Sequence, residues 1–233
     1  MNTLSTYPRG EVIGLCGGIG CGKTSVADQL VSDYGFVELS FADKLKRTVI
    51  DLFQLPESAC YGTQAEKMAP IQHLGPVAPS FGWGSDVWRS RAGEPWCGRW
   101  ILEFMGTDAC RAIWPPIWVE AVKKQVIEQW RTDSECEKAP TRFVVSDLRF
   151  ENERLAIKEL GGLAIRVEVE GDHSKEVTGH ASDNWYATAV VDHVLSAPKP
   201  GLQILGVKTD GLMRQLALYP RVVNLDERRK TDG

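Results

Sequence analysis

Residues 11–27 read EVIGLCGGIGCGKTSVA, and this stretch decides the fold. The apolar run at 11–16, bounded by glycines, is typical of a buried strand. From Lys23 onward apolar residues recur every three or four positions, and Gly35 stands where a helix C-cap belongs, so the sequence predicts a helix there. Between strand and helix, residues 17–24 match the motif G-x-x-x-x-G-K-[ST] in full. This order of strand, loop and helix predicts a phosphate-binding loop rather than a chance glycine-rich turn.

The residue types of the loop explain its expected chemistry. Glycines allow backbone N–H groups to turn inward and to approach phosphate oxygens closely. We expect Lys23 to reach the β- and γ-phosphates of ATP and the Thr24 hydroxyl to ligate Mg²⁺, while the helix N-terminus contributes its positive dipole end. The predicted ATP-binding residues are Gly17, Gly18, Gly20, Gly22, Lys23, Thr24 and Ser25.

Strands and helices alternate along most of the remaining chain. The spacing predicts strands at 36–39, 142–146, 163–169 and 190–195 and helices at 42–53 and 151–160. Alternation of this kind implies a mainly parallel sheet covered by helices on both faces. The predicted fold class is therefore α/β, a P-loop NTPase-type three-layer α/β/α architecture with an inserted acceptor-binding or lid segment.

The insertion is predicted where the periodicity is lost. From about residue 63 to 98 the chain is rich in Gly, Pro and aromatic residues, and helical spacing returns at 100–114 and 116–130. An irregular stretch of this length is usually a lid, a binding loop or an insertion. We predict one kinase-type domain over 1–233, an acceptor-binding or lid region at about 63–130, and a flexible polar tail at 220–233. Which lid arginine closes on the phosphates, Arg89 or Arg91, stays open.

Composition narrows the partners. The chain has 233 residues, of which 43% are hydrophobic, and a formal net charge of −4, which argues against binding to a nucleic acid polymer. No window approaches the roughly 18 apolar residues that a membrane span needs, and the N-terminus lacks the apolar core of a signal peptide. The six cysteines show no metal-ligand spacing. We expect a cytoplasmic protein with reduced thiols and a metabolite as its partner.

Further motifs follow in an order that resembles the phage deoxynucleoside monophosphate kinases, over nearly the whole chain. After the loop come FADKLK at 41–46, Arg99 with MGTD at 105–108, WV at 118–119, DLRF at 147–150, and Gly171 with His173-Ser174 near the expected adenine loop. The resemblance implies transfer of the γ-phosphoryl group of ATP to a deoxynucleoside monophosphate (dNMP), which gives ADP and dNDP. It also implies Mg²⁺, a role in nucleotide supply for DNA synthesis, and the host cytoplasm as the location if a phage encodes the protein.

The resemblance also implies the site residues. Catalysis is expected of Lys23, Arg99, Asp147 and Arg149. Contacts with the acceptor are expected of Asp43, Lys46, Arg99, Gly106, Trp118, Asp147 and Arg149.

The residue types agree with these roles but leave alternatives. The guanidinium of Arg99 suits bidentate capture of a phosphate, and Asp147 ends a strand, where ligands bind in parallel sheets. Asp147 and Asp43 are also suited to capping the helices that follow them. Lys46 is equally typical of a solvated surface, and a tryptophan such as Trp118 more often packs in a core, with Trp114 one turn earlier as a competitor for its role.

Two other functions stay open. Residues 14–27 are also similar to the opening of dephospho-CoA kinases, which makes that activity, or another small-molecule kinase activity, the alternative. That likeness fades beyond the loop. A nucleotide-dependent switch or ATPase without phosphotransfer is the second alternative, although neither an NKxD motif nor an apolar run ending in paired acids is found. The accepted bases, the selectivity for deoxyribose and the formation of a homodimer are not determined by the sequence.

Overall fold

A parallel sheet organises the part of the chain that carries the loop. The computed structural model describes residues 11–18, 20–80, 86–170, 181–199 and 201–220. Within these ranges five strands pair in the order β2-β3-β1-β4-β5, and all four pairings are parallel. The strands are β1 (Val12–Cys16), β2 (Phe36–Leu39), β3 (Arg142–Val145), β4 (Leu163–Val169) and β5 (His193–Ala197).

Helices cover both faces of this sheet. Side chains alternate along β1, so that Ile13 and Leu15 enter one apolar core whereas Val12 and Cys16 enter the other. Burial on both faces explains why the central strand β1 is a continuous apolar run rather than an alternating one. The predicted three-layer α/β/α architecture with a parallel sheet is therefore confirmed.

The helices come from all parts of the described chain. They are α1 (Lys23–Tyr34), α2 (Asp43–Phe53), α3 (Ser58–Tyr61), α4 (Gln64–Met68), α5 (Asp86–Ser90), α6 (Gly98–Glu103), α7 (Cys110–Ile113), α8 (Ile117–Glu135), α9 (Glu151–Glu159), α10 (Ala181–Thr188) and α11 (Leu202–Gln215). A 3-10 turn (Gln72–Leu74) precedes α5, and a π-helical segment (Phe104–Ala109) joins α6 to α7.

The chain divides into two compact units. One, here called the sheet unit, comprises Met1–Phe41 and Val119–Gly233, and the other, the helical unit, comprises Ala42–Trp118. The helical unit has its own core, which includes Leu45, Val49, Leu55, Ala59, Cys60, Ile71, Ile101 and Trp118. The sequence placed an insertion at about 63–130, and its role in acceptor binding stays a prediction. Residues 221–233 of the predicted flexible tail lie outside the described residues.

None of the described helices combines the length and the apolar character that a membrane span requires.

Candidate active site

The loop between β1 and α1 has a backbone that only glycine can adopt easily. Gly17, Gly20 and Gly22 have φ angles of 146°, 72° and 101°, in the region that side chains disfavour. A Cβ atom on Gly17 would lie 2.1 Å from the carbonyl oxygen of Val167, and one on Gly22 would lie 2.6 Å from Cδ2 of Leu205. Gly17 is therefore required both by backbone angle and by space, whereas at Gly22 only the end of a leucine side chain would have to move.

Lys23 is held over this loop. Its ammonium donates hydrogen bonds to the carbonyl oxygens of Gly17 at 2.7 Å and Gly18 at 2.8 Å. The next residue, Thr24, is exposed on the first turn of α1, and Ser25 is half-buried. Phosphate binding by Lys23 and metal binding by Thr24 stay predictions.

The donor set fits a magnesium ion that arrives with its nucleotide. In the described ranges no group of three or more His, Cys, Asp or Glu side chains is arranged to hold a metal ion. Magnesium in nucleotide-binding proteins usually takes most of its ligands from phosphates and water, with one or two from the protein. Thr24, exposed on the first turn of α1, is the residue from which the sequence predicts such a ligand.

Tyr186 lies against the loop, although no sequence motif indicates this contact. A Cβ atom on Gly18 would lie 3.0 Å from its hydroxyl oxygen. Tyr186 belongs to α10, 168 positions further along the chain, so only the folded structure brings it to the loop.

Asp147 lies just beyond the carboxyl end of β3. Its carboxylate accepts hydrogen bonds from the Ser40 hydroxyl at 2.6 Å and from the backbone N–H of Phe41 at 2.9 Å, both after the end of β2. Because neighbouring parallel strands end at the same edge, these residues share the edge of the sheet that carries the loop.

The turn after Asp147 corrects the idea that this aspartate caps α9. The cap is made by Glu153, a buried carboxylate that accepts hydrogen bonds from the N–H groups of Arg149 at 2.8 Å and Phe150 at 3.1 Å. The side chain of Arg149 is exposed and forms no ion pair with a described carboxylate. Its cationic group is therefore available to a ligand.

Three cations from different helices come together in the helical unit. Burial and the nearby charges of Lys46 and Arg99 lower the pKa of Lys67. The Lys46 ammonium lies 4.7 Å from the ring centroid of Tyr61. Within the described residues, none of the three cations forms an ion pair with a carboxylate. The sequence pointed to Lys46 and Arg99 but not to Lys67, which stands in the aperiodic stretch without a recognisable motif.

Asp43 is engaged by its own neighbours. Its carboxylate pairs with Nε of Arg47 at 2.8 Å and accepts a hydrogen bond from the Tyr61 hydroxyl. Asp43 is the first residue of α2 and makes no side-chain cap, so the capping alternative does not describe it. Its predicted contact with the acceptor stays a prediction.

Gly106 and Trp118 pack against one another inside the helical unit. The Trp118 ring is 6% exposed and its Nε1–H donates to the Gly106 carbonyl oxygen at 3.0 Å. A Cβ atom on Gly106 would lie 2.7 Å from Cδ2 of Leu45. Trp118 thus has the core-packing role that the sequence left open, whereas Trp114 is 49% exposed. Contact of Gly106 or Trp118 with the acceptor stays a prediction.

The two candidate lid arginines differ in their surroundings. The Arg91 guanidinium lies 4.6 Å and 4.8 Å from the ring centroids of Trp88 and Trp100 and pairs with Glu103 at 3.1 Å. Arg89 is exposed and pairs only with Asp86 among the described residues. Arg91 is thus fixed within the unit. The predicted adenine-loop residues Gly171, His173 and Ser174 lie outside the described residues.

Comparison with known proteins finds a viral relative and a solved bacterial structure among the matches. The chain is 34% identical over 164 residues to a protein of Acanthamoeba polyphaga mimivirus described as a "Putative deoxynucleotide monophosphate kinase", and the match covers 69% of this chain and 75% of the relative. No protein-family model matches the chain. The dephospho-CoA kinase from Campylobacter jejuni is 14% identical, with a TM-score of 0.42 over 88% of this chain and 96% of that one. A TM-score of this size does not bear on the acceptor.

Proposed function

Since the chain belongs to the deoxynucleotide monophosphate kinase family, we propose that it transfers the γ-phosphoryl group of ATP to a deoxynucleoside 5′-monophosphate and releases ADP and dNDP. The observation that carries this proposal is the glycine loop with Lys23 held over it, in a fold of the P-loop type. The unpaired cations of the helical unit support a second, phosphate-bearing substrate.

On the donor side, backbone N–H groups of residues 17–24 bind the phosphates of ATP. The Lys23 ammonium exchanges its hydrogen bonds to the carbonyl oxygens of Gly17 and Gly18 for bonds to the β- and γ-phosphates. Thr24 would hold Mg²⁺ through its hydroxyl. When bound, Mg²⁺ neutralises charge on the β- and γ-phosphate oxygens.

On the acceptor side, Lys46, Lys67 and Arg99 bind the 5′-phosphate of the dNMP. Burial lowers the pKa of Lys67 most, and repulsion by the charges of Lys46 and Arg99 lowers it further. A phosphate dianion relieves that repulsion, and the fork of Arg99 can bind two of its oxygens. This arrangement favours an acceptor that presents a terminal phosphate.

In the chemical step an acceptor phosphate oxygen attacks the γ-phosphorus in line. A new P–O bond forms to the acceptor while the bond from the γ-phosphorus to the β,γ-bridging oxygen breaks, and ADP leaves with that oxygen. We propose that Lys23 and Arg149 stabilise the charge of the transferring group. Asp147, whose carboxylate accepts hydrogen bonds from Ser40 and Phe41, would orient the metal through water or contact the acceptor.

The test is an acceptor panel. The protein is incubated with Mg²⁺ and ATP labelled in the γ-phosphoryl group, together with each dNMP, each ribonucleoside monophosphate, dephospho-CoA or no acceptor, and the labelled products are separated. We expect label in one or more dNDPs and little ADP without acceptor. Label in coenzyme A would contradict the proposal and favour another kinase. ADP formation at the same rate with and without an acceptor would also contradict it and would favour an ATPase.

A further inference from the structure

Tyr61 contacts two oppositely charged side chains of the same helix. It is the last residue of α3, and its ring centroid lies 4.7 Å from the Lys46 ammonium. Its hydroxyl donates a hydrogen bond to Oδ1 of Asp43. The other carboxylate oxygen, Oδ2, accepts from Nε of Arg47 at 2.8 Å. One aromatic side chain therefore contacts both an acid and a base of α2.

The spacing of Asp43 and Lys46 on α2 explains why the contacts of Tyr61 matter. Asp43 and Lys46 are three positions apart, a separation at which opposite charges on a helix are neighbours and attract each other. An ion pair between them would neutralise one of the cations that the acceptor phosphate requires. In the structure this pair is not formed: Oδ1 of Asp43 accepts from Tyr61 and Oδ2 from Arg47, while the Lys46 ammonium lies over the Tyr61 ring.

We propose that Tyr61 is a positioning residue that keeps Lys46 available to the acceptor phosphate: its hydroxyl holds the Asp43 carboxylate while its ring face holds the Lys46 ammonium. The inference rests on the proposed function, since it assigns a partner to the phosphate site described above. A cation over an aromatic face keeps its charge and its hydrogen-bond donors, so a ligand can still be bound. Ion pairing with a carboxylate would offset that charge and engage at least one of the donors.

The state of the Tyr61 hydroxyl agrees with this role. Burial, together with the hydrogen bond to the Asp43 carboxylate, raises the pKa of Tyr61 to about 12. The phenol therefore stays protonated at neutral pH and continues to donate to Asp43.

The first experiment is a double-mutant cycle on steady-state kinetics, at saturating ATP and with the best dNMP of the panel. Tyr61→Phe keeps the ring and removes the hydroxyl, so that one oxygen of Asp43 is freed to pair with Lys46. We expect the KM for the dNMP to rise about two- to fivefold, in the range of a partly exposed ion pair, with kcat and the KM for ATP unchanged. In the Asp43→Asn background, Tyr61→Phe should have no further effect, because the competing charge is gone.

Two controls match the variants. Tyr219→Phe removes a hydroxyl from an exposed tyrosine of the sheet unit, and Asp51→Asn removes a charge two turns further along α2. Tyr219→Phe alone should leave the KM for the dNMP unchanged, and Asp51→Asn should not cancel the rise that Tyr61→Phe causes. A wild-type KM in Tyr61→Phe would overturn the inference, and so would an equal loss in the presence and absence of the Asp43 charge.

A second readout does not depend on activity. An ion-paired ammonium gives up its proton less readily. Lys46 should therefore be acetylated by acetic anhydride about two- to fivefold more slowly in Tyr61→Phe than in the wild type. The labelling is carried out on the folded protein and measured by mass spectrometry. The rate should return in Tyr61→Phe/Asp43→Asn. If the wild type phosphorylates no dNMP, the proposed function fails, whereas an unchanged labelling rate in Tyr61→Phe refutes the role of Tyr61 itself.

Discussion

At the scale of single residues, glycines of the same loop are constrained in different ways. Gly20 has a φ angle of 72°, but a Cβ atom there would meet nothing within 4 Å. Gly17 has both a positive φ angle and the carbonyl oxygen of Val167 at 2.1 Å from the position of a Cβ atom. Gly20 is therefore needed for its backbone conformation alone, whereas Gly17 is needed for space as well.

This difference gives a stability prediction. Gly20→Ala should lower the free energy of unfolding by about 1–2 kcal/mol, the cost of a left-handed residue with a side chain. Gly17→Ala should lower it by more than about 3 kcal/mol, because a strand carbonyl has to move. Urea unfolding of both variants measures the two losses. Equal losses would contradict the loop geometry described here.

The sequence predicts residues whose motif is local and misses those that depend on distant contacts. Lys23 and Thr24 could be identified because the loop motif is contiguous. Tyr186 and Ser40 could not, since their neighbours in space, Gly18 and Asp147, are more than a hundred positions away. The spacing of apolar residues along the sequence does not indicate contacts between residues so far apart in the chain.

At the scale of elements, the predictions succeed where a clean pattern meets a clear end signal. Helix α1 ends at Tyr34, as expected, and the N–H of Gly35 closes it on the Leu30 carbonyl. Strands β2 and β4 have the predicted bounds. Helix α11 was not predicted, because exposed apolar residues such as Val207 obscure the helical spacing of its buried residues. The predicted helix at 100–114 is interrupted by the π-helical segment, which no spacing rule announces.

Asp192 forms hydrogen bonds with the end of α9 and the start of β4. These contacts depend on pH because the carboxylate can be protonated. Its carboxylate accepts from the Lys158 ammonium and from the N–H of Ala164, both at 2.8 Å. Burial raises the pKa of Asp192, but the bonds to Lys158 and Ala164 outweigh it, so the pKa is lower than usual. A lowered folded-state pKa gives stability that is present above the unfolded pKa and is lost as pH falls through the folded one.

We therefore expect Asp192→Asn to lose about 1–2 kcal/mol of unfolding free energy at neutral pH relative to the wild type. The difference should shrink as the pH falls below about 4, the usual pKa of an aspartate. Asp28→Asn, at an exposed position of α1, is the matched control. A difference that stays constant from neutral to acid pH would show that Asp192 does not contribute through its charge.

At the scale of the whole molecule, the proposed donor and acceptor residues belong to different units. The sheet unit carries the triphosphate loop and the edge residues Asp147 and Arg149, and the helical unit carries the cluster of Lys46, Lys67 and Arg99. In the proposed function, this local cluster lets a chain with a net charge of −4 hold an anionic substrate. Composition alone predicts the absence of a general affinity for nucleic acids and cannot locate such a cluster.

The central claim is that Lys23, held over the loop, acts on the phosphoryl group in transfer. The measurement is the rate at which label from the γ-phosphoryl group of ATP enters dNDP, for the wild type and for Lys23→Ala. Lys124→Ala, an exposed lysine of α8, serves as the matched control. We predict that Lys23→Ala, folded as judged by circular dichroism and thermal unfolding, transfers label at least about a hundredfold more slowly, with the control unchanged. Transfer at the wild-type rate by folded Lys23→Ala would contradict the account.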